Sequence, residues 1–565
     1  MSTPTSYTDQ QVQFVIAARN ERAWEFSRIA EVFQQKFGGA RTKSQMRHLY
    51  ERHMQPEAPV EAAAPPTPHP LGDFTHENFA DVRRSTSKRT GRAFVTAASP
   101  VSTMSDKFTL GRREVASNLF VPGFKAVQTW AKETDGELVI LPMRAHMPAL
   151  KGQPDHYDPR LRGFRSAFAA EFQFSEHLRA IDVHLNPQQV RPLTGLHRVR
   201  GRQAVKIGET TVPLRSNQSV IFAHAQQDLE TLATGNNTSP RWICTTGAIT
   251  KPEYLRNRAG VLAAEAHILG GLIVEWDEDI FWVRQVQFNP DDGSFVDMGT
   301  RYRADGKVDM GVRAEALRLG DLHAGHGTVL DDAARLAKLV QPKRVFVEDV
   351  FDGGSINHHD AKRPLTRALK PAQFKSLEAE LTECARVLAQ VRGLSKDAEF
   401  VIVDSNHHDF VTKWIESGEY VRDPVNYRLG HEMVLDLLDG RLPLQTRLDP
   451  GGKFTWLTAE DDYFVAGVQM ASHGHLGANG MRGSKAQLEV IHGDAMVGHM
   501  HTPAIRGRLY VVGHSSDGRH GYNAGPSSWL ICRGVIWGGG AKQLIASING
   551  SFGLDDHNRR REEPS

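Results

Sequence analysis

EALRLGDLH, residues 315–323, sets the architecture of this chain. Its apolar positions, Ala316, Leu317 and Leu319, run into Gly320 and then Asp321-Leu322-His323. A short apolar run that ends at a glycine reads as a buried strand. At an extended strand end, residues two apart point the same way. The carboxylate of Asp321 and the imidazole of His323 can therefore grip one ion.

The same arrangement recurs downstream. DDAARLAKLVQ (331–341) has helical periodicity, and KRVFVED (343–349) reads as a strand. AQFKSLEAELTECARVLAQ (372–390) reads as one long helix, and EFVIVDS (399–405) as a further strand. YFVAGVQMASH (463–473) and AQLEVIHGD (486–494) follow as apolar segments. Strands alternating with helices imply α/β layering. A polar cluster follows each strand at its C-terminal end, where open α/β sheets gather ligands. The clusters are Gly320-Asp321-Leu322-His323, Glu348-Asp349-Val350-Phe351-Asp352, Ser405-Asn406-His407-His408-Asp409, Ser472-His473-Gly474-His475 and Gly498-His499-Met500-His501. Mixed Asp, Asn and His donors suit Mn²⁺, Fe²⁺ or Zn²⁺. No cysteine joins them, which argues against a structural zinc site.

The order D-x-H, D-x-x-D, N-H-x-D, H-G-H, G-H-x-H resembles the calcineurin-like metallophosphoesterase superfamily over about 311–515. Three departures stand out: Glu348 and Ser405 replace motif glycines, and His408 is inserted before Asp409. The resemblance implies two divalent metal ions, with Mn²⁺ expected and Fe²⁺ or Zn²⁺ as alternatives. Asp321, His323 and His501 would hold the first ion, and Asn406, His473 and His499 the second. Asp349 would touch both, and His475 competes with His473. The resemblance makes His407 the proton donor or charge stabiliser at the leaving group. Asp409 would support the site without touching metal. A metal-bridging hydroxide would attack phosphorus. The expected fold is a layered α/β sandwich of this type, preceded by a mixed α/β domain and a three-helix module.

Fold and site do not choose a substrate. The layout of 106–550 is similar to the host-DNA-degrading pre-early nucleases of certain tailed phages, whose text is close to HGHLGANGMRGS (473–484). Repair exonucleases of the SbcD kind resemble the catalytic part more distantly. This points to a DNA nuclease acting in the cytoplasm, that of the host if the chain is phage-encoded. A phosphatase or phosphodiesterase for proteins or small nucleotides is the alternative, and a DNA-binding regulator the third reading.

Residues 1–55 read as three short helices. Thr8 caps the first, Trp24, Ile29 and Phe33 mark the second, and Thr42 with Gln45 forms a capping box on the third. The third has Met46, Leu49 and Tyr50 on one side and Arg41, Lys43, Arg47, His48 and Arg52 elsewhere. One apolar stripe and one basic face are what major-groove docking needs. The module resembles a Myb-like helix-turn-helix, with Trp24 its only tryptophan; docking on protein is the other reading. Residues 56–105 are expected as a flexible linker, with PEAPVEAAAPPTPHP at 56–70 and basic RRSTSKRTGR at 83–92. Residues 106–310, with strands ELVILP (137–142) and SVIFAHA (219–225), form a mixed α/β domain without a chemical motif; 311–565 is the catalytic domain. HRVRGR (197–202), His358 with His359, and Asn479, Arg482 and Ser484 are candidates for phosphate or substrate contact.

The composition excludes little. Of 565 residues 40% are apolar and the formal net charge is +2, so any polyanion must bind to local patches. Three scattered cysteines fit buried thiols in a reducing compartment. Thirteen of the 26 histidines fall between His323 and His514, where the clusters lie. A polar start argues against a signal peptide and no run of 18 apolar residues suggests a membrane span. A homo-oligomer is compatible with everything above.

Overall fold

The computed structural model describes residues 8–20, 25–38, 42–53, 83–86, 88–101, 106–110, 113–143, 157–163, 166–167, 171–175, 178–181, 205–207, 210–212, 219–235, 241–254, 258–278, 280–357, 363, 365, 368–518, 520, 523 and 525–562. Contacts divide the chain into two compact units, Met1–Gly72 and Asp73–Ser565.

The first unit holds helices Asp9–Asn20, Phe26–Phe37 and Lys43–His53. They close on Val12, Val15, Ile29, Phe33, Met46 and Leu49. The capping box on the third helix forms as expected. Thr42 N–H donates to Gln45 Oε1 at 2.9 Å, and Gln45 N–H to Thr42 Oγ1 at 3.2 Å. Lys43 and Arg47 are exposed. Trp24 and Arg41 lie outside the described residues, as do the linker text 56–70 and HRVRGR.

The second unit is α/β. Strands Ala316–Asp321, Arg344–Glu348, Glu399–Ile402 and Thr455–Trp456 run parallel, one beside the next. Cys532–Ile536 and Lys542–Ala546 extend this sheet antiparallel on the other side of Ala316–Asp321. Leu317, Leu319, Val345, Val347, Phe400 and Ile402 face the helices Asp331–Val340, Leu377–Arg392 and Tyr427–Leu438. From the opposite face Ala316, Phe346 and Val401 pack with Met496, Ile505 and Tyr510 of an 11-stranded sheet. Strands covered on both faces read as nearly continuous apolar runs, which is why this part of the sequence was plain.

Several expectations change on folding. The segment expected as one helix from 372 divides into a turn, Ala372–Phe374, and the helix Leu377–Arg392, because Ser376 Oγ accepts the N–H of Ala379 and caps a new start. YFVAGVQ is a hairpin of two short strands, Phe464–Val465 and Val468–Gln469. Ala466 and Gly467 both have positive φ (+49° and +86°), which suits a two-residue turn. AQLEVIHGD is mostly the helix Lys485–His492, capped by Ser484.

Residues 90–98, inside the stretch expected as linker, form the strand Thr90–Ala98 between Gly270–Asp277 and Glu137–Pro142 of a five-stranded sheet. Its apolar part, Ala93-Phe94-Val95, follows directly on the basic text that suggested a loop. Arg83–Ser85, also in that text, pairs with Glu171–Ser175. Strands on both sides of residue 311 share the 11-stranded sheet, where Leu229–Leu232 pairs with Ala504–Arg506. Cys244, Cys384 and Cys532 are buried free thiols. Among the described residues no helix is long and apolar enough to cross a membrane.

Candidate metal centre

The five clusters meet where the parallel strands end. Asp321 is the last residue of its strand, and the ladder to Arg344–Glu348 shifts register between Arg318 and Asp321. Gly320 permits this bend. Its φ is +78°, and a Cβ there would lie 2.3 Å from the carbonyl oxygen of Gly513. His323, Asp349, His499 and His501 also have positive φ, between +43° and +66°. Such backbone costs about 1–3 kcal/mol per residue and persists only where the surroundings enforce it. Four expected ligands share this strain.

One donor atom from each of Asp321, His323, Asp349 and His501 lies within 4.8 Å of the others, all of them buried. His323 Nε2 and His501 Nε2 are 3.0 Å apart. His501 Nε2 is 2.6 Å from Asp321 Oδ2, yet that oxygen has no hydrogen bond of acceptable geometry. Asp349 Oδ1, Asn406 Oδ1 and His473 Nε2 are also buried without a hydrogen-bond partner among the described residues. Buried polar atoms are nearly always paired. These unpaired atoms belong to expected ligands, and their types are those a borderline divalent cation takes. The residues present fit a metal centre.

The surrounding contacts fix each ring. His323 Nδ1 donates to Asp352 Oδ1 at 2.9 Å, because a carboxylate can only accept; its Nε2 lone pair is thereby turned to the cluster. His473 Nδ1 donates to Glu348 Oε2 at 2.9 Å, leaving Nε2 at 3.4 Å from Asp349 Oδ2. The rings of His473 and His499 are 5.1 Å apart, centre to centre. His475 stands beside them, 5.3 Å from His473. Asp352 sits behind His323, where it also contacts His326 at 3.3 Å.

Electrostatics follow from this crowding. Burial pushes the Asp321 and Asp349 carboxyls up, but neighbouring histidines outweigh it and hold both below the usual range. Burial pulls His473 down, but Asp349 and Asp321 raise it well above its ordinary value. Burial, with His473 next to it, lowers His499 to about 4 and His475 to about 3. The ionised carboxylates and the neutral His499 and His475 are already in the protonation states that metal ligands require, whereas His473, charged beside Asp349 and Asp321, would have to release its Nε2 proton to an incoming cation.

His407 borders an open cavity of about 510 Å³ that is also lined by Asp349, Arg482, Lys485, His499 and Trp529. Its Nδ1 lies 2.6 Å from the carbonyl oxygen of Asp352. A carbonyl only accepts, so Nδ1 carries a proton, and among the described residues Nε2 has no hydrogen bond. Burial works against the charged ring, but Asp349 and Asp352 prevail and raise its pKa.

Asp409 is not brought to the cluster. It opens the helix Asp409–Glu416 and pairs with Lys413 at 3.2 Å, 44% exposed. The inserted His408 takes the buried position instead and turns the next residue outward. Asp352 supplies the contacts to His407 that Asp409 does not. Arg482 lines the cavity, Ser484 caps a helix, and Asn479 sits in a turn with φ +57°. His358 and His359 lie outside the described residues.

The roles of three residues escaped the sequence reading. Glu348 replaces a motif glycine, and it is fully buried against Arg318. Arg318 interrupts an otherwise apolar strand, a signal that was available in ALRLG. Trp529, 4.0 Å from His501 between ring centres, carried no signal in sequence.

No family model matches the chain, and no solved structure matches it. It is similar to protein A1 of Escherichia phage T5, 31% identical over 345 residues. The match spans 55% of this chain and 60% of that protein's length. The chain has a phage relative, and it holds a buried Asp/His group able to bind metal.

Proposed function

We propose that this chain is a dinuclear metal phosphoesterase of the calcineurin-like type, and that it hydrolyses phosphodiester bonds in DNA. The observation that carries the reading is the buried quartet Asp321, His323, Asp349 and His501, with Asn406 Oδ1 and His473 Nε2 unpaired nearby. The quartet would hold one ion, and Asn406, His473 and His499 would hold a second across Asp349. When bound, two divalent cations supply Lewis acidity at phosphorus and a nucleophile drawn from water. The chain's own residues do the rest. Arg482 and Lys485 line the cavity and offer positive charge to a phosphate. Trp529 offers an aromatic face to a base, a contact worth about 1–3 kcal/mol. Hydrolysis adds water across one P–O bond, and the leaving oxygen needs a proton. His407 lines the cavity, its Nδ1 is held by the Asp352 carbonyl and its ring is biased toward the charged form, which supports the role of proton donor through Nε2.

The three-helix unit supports DNA as the substrate, since Lys43 and Arg47 are exposed on its third helix. The relative in phage T5 supports action in the cytoplasm of an infected host. Elemental analysis after mild dialysis is expected to find two Mn, Fe or Zn ions per chain. Plasmid degradation is expected with Mn²⁺ and not with chelator. Absence of bound metal together with no cleavage under any of these ions would sink the reading. Cleavage confined to small phosphodiesters would favour the phosphatase alternative, and DNA binding without any cleavage the regulator.

A further inference from the structure

Arg318 and Glu348 are both fully buried, on the face of the parallel sheet that meets the 11-stranded sheet. Taking two charges out of water is costly, so a pair kept in a core calls for an account. Their partners supply one. Arg318 Nε and Nη2 grip the two oxygens of Glu348. Its remaining donors reach the carbonyl oxygens of Met470 (3.0 Å), Ser472 (3.0 Å) and Met496 (2.5 Å). Ser472 directly precedes His473, and Met496 lies just ahead of Gly498-His499-Met500-His501. Both histidine loops are thus tied to the strand that ends in Asp321. Glu348 Oε2 also accepts from His473 Nδ1 at 2.9 Å. Gly498 lets the chain pass: a Cβ there would lie 2.3 Å from Glu348 Oε1 and 2.6 Å from Asp321 Oδ1.

We propose that Glu348, locked by Arg318, is a positioning residue that sets the tautomer and direction of His473 for the second metal ion. The inference rests on the dinuclear reading above. Asp321, Glu348 and His473 also stand close enough to share a cation, but with Arg318 on both Glu348 oxygens and His473 Nδ1 on Oε2 the inference assigns Glu348 to hold the ring and not the ion. A histidine that binds metal through one nitrogen commonly donates the other N–H to a carboxylate, and losing that partner costs about 10–100-fold in metal affinity. A merely structural ion pair would disturb both ions or neither.

The test is metal titration of the full chain, with Mn²⁺ content read by elemental analysis and folding by thermal melting. Glu348→Gln is expected to weaken the second ion by ~10–100-fold while the first is held as in the wild type. Combined with His473→Ala, it should add little to the loss caused by His473→Ala alone, because the two act through one ring. Glu348→Asp keeps a charge beside Arg318 but withdraws from His473. It carries the same expectation should the glutamine variant fail to fold. Equal weakening of both ions, unchanged binding of both, or full additivity with His473→Ala overturns the inference. A wild-type chain without a second ion overturns the dinuclear reading, and this inference with it.

Discussion

Two buried charged clusters in this chain look alike in composition and differ in what they leave undone. In the first, Arg284 reaches Glu275 at 2.7 Å and Asp297 at 2.8 and 2.9 Å. Gln543 adds a bond to Asp297 and the N–H of Leu554 one to Glu275. Each of those three charged side chains has its hydrogen-bonding atoms satisfied. In the second, Asp321, Asp349, Asn406 and His473 keep buried atoms without partners while carrying strained neighbours. A satisfied cluster holds the fold together; an unsatisfied one has donors to offer a cation. The difference is not burial or charge, which the two share, but whether the donors and acceptors close on each other.

The sharpest way to break this contrast is Asp349→Asn. Asp349 is the one carboxylate shared by both proposed ion positions. The change keeps shape and removes one negative charge. At 4 Å a unit-charge interaction is worth about 4 kcal/mol at an effective dielectric of 20. Activity is expected to fall by several orders of magnitude, with the second ion lost and incomplete rescue by excess Mn²⁺. Asp352→Asn should do less, since Asp352 sits behind His323. Parallel assays of metal content and plasmid cleavage settle the order; the reverse order would make Asp352 the shared ligand.

His407→Ala separates the proton donor from the ligands. It should retain both ions and lower turnover by ~10²–10⁴. Metal analysis that finds an ion missing would place His407 among the ligands. On the satisfied side, Arg284→Met should spare the site and strike the fold. It leaves Asp297 as a buried charge without its cation and Glu275 with Arg92 alone, at 3.1 Å, a change worth about 3–5 kcal/mol. Denaturant titration should show that loss, while the remaining folded protein binds metal normally. Loss of metal affinity without loss of stability would erase the distinction between the clusters.

How far the sequence could be read follows from the same physics. The parallel strands announced themselves because both faces are covered, so Leu317, Val345 and Ile402 sit in unbroken apolar text. The candidate donors are legible because each lies within a few residues of a strand end, at fixed spacing from its neighbours. Arg318 and Glu348 were opaque because their partners are far off in sequence: Glu348 is 30 residues from Arg318, and Met496 is 178. Thr90–Ala98 was hidden for a different reason. Its neighbours in the sheet come from residues 137–142 and 270–277, and the basic residues ahead of it imitate a loop. Asp409 lies apart from the other donors, at a helix start where the extra residue His408 takes the buried position.

The smallest effect concerns a satisfied group outside both clusters, the buried His267. His267 Nε2 lies 2.8 Å from the carbonyl oxygen of Thr250, so it must donate; Nδ1 then accepts from the hydroxyl of Tyr254 at 2.7 Å. Both nitrogens are used by the neutral ring. Burial lowers its pKa to about 4, against an ordinary value of 6.5, with the Thr250 bond pulling weakly the other way. A proton added at Nδ1 would displace the Tyr254 bond. The unfolded chain takes up that proton near pH 6.5 and the folded one only near pH 4. The stability this histidine confers is therefore complete above about pH 6.5 and declines as pH falls toward 4. One group contributes at most about 1.4 kcal/mol per pH unit. His267→Gln keeps a donor for Thr250 and cannot titrate. Urea midpoints at pH 7 and pH 5 should therefore differ less in that variant than in the wild type. Equal differences would mean that His267 is already charged in the fold, or that carboxylates elsewhere carry the acid sensitivity. Either result would remove this ring from the satisfied groups.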